Sequence, residues 1–86
     1  QLSRMEINKM NFNERMEEIK LLNQFNLKSK TYGIKIHERD ASLETVSAAV
    51  RLFNKGLTDH RDGGYLTVLG VEAAGHAQAL CTLLED

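Results

Sequence analysis

The sequence predicts a small α/β (α+β) fold: a helical arm followed by a strand–helix–strand–helix core. Three observations predict it. Tyr32, Ile34 and Ile36 alternate with Gly33, Lys35 and His37, the period-two pattern of a half-buried strand. Leu43, Val46, Ala49, Val50 and Phe53 then recur at helical spacing. Tyr65 to Val71 runs almost continuously apolar ahead of a second helical stretch, which reads as a strand covered on both faces, with parallel neighbours. The chain divides on this basis into an arm and linker, residues 1–30, and a βαβα core, residues 31–86, forming one domain overall.

The arm opens on a capping pattern. Ser3 is placed to cap and Glu6 to return the bond, with Leu2 and Ile7 spaced as a hydrophobic staple. Met5, Phe12, Met16, Ile19 and Leu22 continue as one apolar stripe. Asn8, Asn11 and Asn13 interrupt it, and Asn favours caps and turns, so a break is expected near residues 11–13 and a firmer helix over residues 14–25. Glu14, Glu17 and Glu18 suit the start of that helix, where the dipole favours negative charge. Phe12, Met16, Ile19 and Leu22 are the candidate partner or oligomer contacts, because methionine-rich surfaces adapt to varied targets. Packing on the sheet, of its own chain or of a neighbour's, is the plainer alternative.

In the core, Asp40 or Ser42 caps the first helix, and Gly56 is placed as its left-handed terminator, with Leu57 touching Leu52 in a Schellman ending. Residues 58–64 read as a polar loop. A strand, a helix and a strand in succession suggest a right-handed parallel crossover. The last helix is expected from Ala73 to about Leu84, with Ala73, Ala77, Leu80, Cys81 and Leu84 inward. Two strands are too few to bury two helices and an arm. The economical answer is a homo-oligomer that completes the sheet.

Composition narrows the function classes. A chain of 86 residues buries only ~60–65% of its unfolded surface, so its core is small. The net charge of −1 argues against a general phosphate-backbone binder. A single cysteine, Cys81, excludes an intrachain disulfide and reads as a small core residue. No stretch is long and apolar enough to span a membrane as a helix and no signal peptide is evident, so a cytoplasmic location is expected.

Three clusters carry side chains with chemical potential. His37-Glu38-Arg39-Asp40 ends the first strand, where ligands of βαβ proteins bind. Asp59-His60-Arg61-Asp62 has metal-ligand residue types but no second cluster at ligand spacing, and reads as a polar loop. Gly70 to His76 places small residues at a helix start, where free N–H groups can meet an anion. Its two glycines have P-loop spacing, but His76 and Ala77 stand where Lys and Ser/Thr are required, so nucleotide hydrolysis is not implied. Tight helix–sheet packing is the plainer reading there. The ligand-binding candidates are therefore His37, Arg39, Gly70, Gly75 and His76. No catalytic residue, metal site or cofactor is assigned.

Two local patterns resemble known families. Residues 46–56 with residues 65–86 look like the first part of Alba-type domains and their initiation-factor-like relatives, and that resemblance implies a dimer that binds RNA or DNA. Residues 36–42, Ile-His-Glu-Arg-Asp-Ala-Ser, are similar to the phosphocarrier motif of HPr-type proteins, which implies His37 as phosphoryl acceptor and Arg39 as its anion partner. The leading expectation is a non-enzymatic binding protein, a regulator, inhibitor or adaptor. It acts as a homo-oligomer with a ligand or partner site near subunit interfaces, and a protein partner or a small anion is the expected binder.

Overall fold

The computed structural model describes residues 11–29 and 31–85. In order these form α1 (Phe12–Leu22), β1 (Ile34–Lys35), α2 (Leu43–Asn54), β2 (Thr58–His60), β3 (Gly63–Leu66) and α3 (Val68–Leu84). Three helices pack with a small antiparallel sheet of strand order β1-β3-β2, an α+β arrangement. The expected capping box at Ser3 and Glu6, its staple, and Met5 lie outside the described residues.

α1 begins where the asparagines break the arm. Asn11 adopts a left-handed backbone, φ 45°, and its side chain accepts from the Glu14 N–H at 3.2 Å. Asn is one of the few residues that tolerate this conformation. The helix ends at Leu22 rather than Phe25, but Phe25 still turns inward and is buried. Gln78 of α3 donates to the carbonyls of Leu22, at 3.1 Å, and Phe25, at 2.8 Å, filling acceptors that the end of α1 leaves open. The arm is thus built into the core, where Leu21 and Leu22 join Ala48, Ala49, Leu52, Ala74 and Ala77 in one buried cluster.

α2 is capped by Ser42, which accepts from the Thr45 N–H at 3.2 Å. It ends as the sequence predicts. The Leu57 N–H reaches the Leu52 carbonyl and the Gly56 N–H the Phe53 carbonyl, both at 2.9 Å, with Gly56 at φ 77°. The buried face is rotated from the expected one. Ala48, Ala49 and Leu52 are inside, whereas Leu43 is 76% exposed and Phe53 37%. The rotation follows from packing against α1, which turns Arg51 and Lys55 toward a buried carboxylate on that helix.

The second strand is the main correction. Residues 65–71 do not form one strand. β3 spans Gly63–Leu66, and α3 starts at Val68. Thr67 ends the strand and caps the helix, accepting from the Gly70 N–H at 3.0 Å and donating to the Gly56 carbonyl at 2.6 Å. Leu69, placed by the sequence in a central strand, is on α3 and 53% exposed. A short apolar run carries no periodicity that separates a strand from a buried helix, so β-branched Val68 and Val71 misled the assignment.

The parallel crossover is also replaced. β3 pairs antiparallel with both neighbours, Ile34 opposite Gly64 and Thr58 opposite Leu66. The supposed polar loop supplies the missing strand, β2, joined to β3 by the two-residue turn Arg61-Asp62, with Gly63 opposite His60. The sheet's third strand thus comes from within the chain. β1 approaches β3 closely because both Gly63 and Gly64 have positive φ, 117° and 76°.

Candidate functional site

Among the described residues the buried charged group is Glu18 on α1, only 5% exposed. Arg15 binds its Oε2 at 2.8 Å and the Arg51 Nε binds the same oxygen at 2.6 Å, while the Lys55 ammonium holds Oε1. Burial acts to raise the carboxyl pKa, but the bonds from Lys55, Arg15 and Arg51 outweigh it and hold the group down from 4.5 to about 2. Arg51 also bonds the Glu14 carbonyl at 3.3 Å. These cations neutralise a charge within the fold and position α1 on α2.

A cleft of about 290 Å³ opens on the other side of the molecule, between the segment after α1, the β1 approach and the start of α3. Phe25 and Leu27 form one wall, Tyr32 and Tyr65 another, and Leu66, Val68 and Val71 a third. Asn26, Ser29 and Thr67 add polar side chains to the lining. Tyr32 is 68% exposed, whereas Ile34 and Ile36 pack on the core. The strand alternation therefore holds at residues 34–37 and fails at Tyr32, whose ring faces the cleft mouth.

From the cleft an apolar surface continues along α3. Its inner face is made of small residues, with Gly70, Ala74 and Ala77 buried. Gly70 sits against β2's approach so closely that a Cβ there would lie 1.9 Å from the Leu57 carbonyl oxygen. The outer face is apolar as well. Val68 is 91% exposed and Leu83 81%, with Leu69 and Leu80 also open to solvent. Only Glu72 and His76 bring ionisable groups to this face. Leu80 and Leu84, expected to point inward, are exposed: Leu80 lies off the inner stripe of Gly70, Ala74, Ala77 and half-buried Cys81, and Leu84 continues that stripe past the end of the core. Asn23 donates to the Cys81 Sγ at 3.0 Å.

The remaining sequence candidates are dispersed. His37 and Arg39 line an open hollow with Lys35, Glu38, Asp40 and Asp62. The His37 carbonyl accepts from the N–H groups of Asp40 and Ala41, a tight turn after β1. Lys35 pairs with Asp62 and lowers its pKa. Gly70, Gly75 and His76 lie on α3, away from that hollow, and Gly70 is occupied by packing. Of the stripe on α1, Leu22 is buried and Ile19 packs on the core, while Phe12 and Met16 are about half exposed. Asp59 accepts from the Tyr65 N–H at 2.8 Å, which with His60 lowers its pKa and braces the hairpin. Among the described residues no group of three or more His, Cys, Asp and Glu side chains is placed to hold a metal ion, and no helix is long and apolar enough to cross a membrane.

Sequence reasoning missed the cleft and the Glu18 centre. The cleft joins residues 25, 32, 65 and 71, which no local period connects. For Glu18, the pairing with Arg15 three positions earlier was readable, but the contribution of α2 was not.

Fold and surface together define a small α+β domain whose α1–α2 contact encloses a neutralised carboxylate, with Phe12, Met16 and Leu43 open at its edge, and whose α3 turns Val68 and Leu83 to solvent. The chain belongs to a family of unknown function (DUF5669), whose model matches residues 10–85. No curated protein and no solved structure matches it.

Proposed function

We propose that this protein works by binding, without catalysis, as a homo-oligomer, in the role of a regulator, inhibitor or adaptor. Its working surface is the apolar band that runs from the Tyr32–Tyr65 cleft along the outer face of α3. A cytoplasmic setting belongs to the same reading. The observation that carries it is that α3 is apolar on both faces. A helix of that composition is ordinarily buried all round, yet Val68 and Leu83 are 91% and 81% exposed in the single chain. Contiguous apolar patches of this kind mark protein–protein contacts. The sheet has three strands among the described residues, and the reading rests on the helix.

The test is native mass spectrometry of the purified protein, alone and with Leu83→Glu. A multiple of the chain mass that collapses to one chain in the variant is the expected result. A single-chain mass for the unaltered protein across micromolar concentrations would end the homo-oligomer reading.

A further inference from the structure

We infer that the second copy lies antiparallel along α3 and that each chain's Leu83 fills the other's aromatic cleft. This rests on the homo-oligomer reading and specifies its geometry.

The outer stripe of α3 is Val68, Glu72, Gly75, Ala79 and Leu83, spaced four, three, four and four apart. That spacing keeps them on one face of a helix. The smallest residue, Gly75, is at its middle. Glycine in a helix interior costs about 1 kcal/mol relative to alanine, and among the described residues nothing lies within 4 Å of where its Cβ would be. Packing among the described residues therefore explains Gly70 but not Gly75. A contact from outside does, because a glycine at a helix crossing lets two backbones approach.

A two-fold axis at that point has further consequences. An isologous interface sets residue i against residue j and j against i. Centred between Gly75 and His76, it places Leu83 opposite Val68 and Leu80 opposite Val71. Val68 and Val71 are themselves cleft walls, so the cleft and the stripe are one surface. The 17-residue helix is about 25 Å long, which brings the apolar end of one α3 over the cleft of the other, twice. The cleft holds about 290 Å³, roughly twice a cavity that accommodates a benzene ring, enough for the Leu83 side chain. The polar groups agree with this orientation, since the carboxylate of Glu72 can accept from the imidazole N–H of His76. Glu72 of one chain comes within about one helical turn of His76 of the other, once on each side of the axis. A parallel pairing would instead stack Glu72 on Glu72 and leave both clefts open.

The test is disulfide trapping in a Cys81→Ala background, read beside native mass. His76→Cys, next to the axis, is expected to link to itself. Val68→Cys alone is expected not to link, being far from its own copy, but to link when mixed with Leu83→Cys. Gly75→Leu is expected to weaken association at least about tenfold while leaving the helical circular dichroism unchanged. A dimer in which Val68→Cys links to itself, or in which none of these positions link, overturns the antiparallel arrangement and leaves the homo-oligomer standing. A monomeric unaltered protein overturns both.

Discussion

At the α1–α2 contact a carboxylate is inside and its counter-charges reach in to meet it, while the exposed surface carries Glu17, Lys20 and Glu44. At α3 the arrangement is reversed. Small residues are inside, and large aliphatic side chains face solvent. The first contact is closed, because each charge has its partner within the chain. The second is open, because its large aliphatic groups, Val68 and Leu83 above all, meet solvent, as Leu43 does on α2. Stability and interaction are thus divided between two sides of one small domain. Substitutions should respond accordingly, severely for folding on the first side and mildly for folding on the second.

The largest expected effect is at Glu18. Glu18→Ala removes the carboxylate on which Arg51 and Lys55 converge and leaves Arg51 only Glu14, at 3.7 Å, and breaking a buried pair in this way costs up to about 3–5 kcal/mol. In a domain of this size each kcal/mol lowers Tm by about 4–8 °C, so thermal denaturation should show a drop of ten degrees or more. A drop of only two or three degrees would mean the α1–α2 side is held by its apolar contacts alone.

Acid titration sharpens the same point. The Glu18 pKa is lowered from 4.5 to about 2 on folding. The unfolded chain therefore binds a proton in that interval which the folded chain does not, and stability is lost as pH falls from 4.5 toward 2. Denaturant unfolding at pH 6 and pH 2.5 should differ by up to roughly 3 kcal/mol from this group. In Glu18→Gln that part of the difference should disappear. An unchanged acid slope in the variant would assign the effect to other carboxylates.

Gly70→Ala comes next. The new methyl meets the Leu57 carbonyl and not a flexible side chain, so α3 must shift, at about 1–3 kcal/mol by chemical denaturation. A neutral result would show that α3 is not seated on the Gly56–Leu57 segment. Gly56→Val is expected to cost about 1–2 kcal/mol through the left-handed backbone alone, since no atom lies within 4 Å of its Cβ position. If it is neutral, the end of α2 rearranges freely.

The elements legible in the sequence were those with local signals. Asn11 marked the start of α1, Ser42 the start of α2, and Gly56 with Leu57 its end, because caps are read within a few residues. β1 showed its alternation at Ile34 and Ile36. The boundary at Thr67 was not legible, since the apolar residues on both sides suit a strand or a buried helix equally. An N-cap hydroxyl three residues before Gly70 was the available clue. β2 was hidden by its polar composition, Thr-Asp-His, which suits a two-residue turn's flank only once Arg61-Asp62, with Gly63 after it, is recognised as that turn. Of the candidate surface, the apolar character of α3 was visible, but its direction was not. Which face turns outward depends on the clearance at Gly70 and on Ala74 and Ala77 meeting the core, and both are tertiary facts.

The most direct measurement is the melting temperature of the unaltered protein over a thousandfold range of concentration, beside Leu83→Glu. Association that involves only the folded state makes Tm depend on concentration. A Tm that rises with concentration for the unaltered chain and stays flat, at the lower value, for Leu83→Glu is the expected result. Equal, concentration-independent melting for both would contradict the division of the molecule into a closed side and an open one.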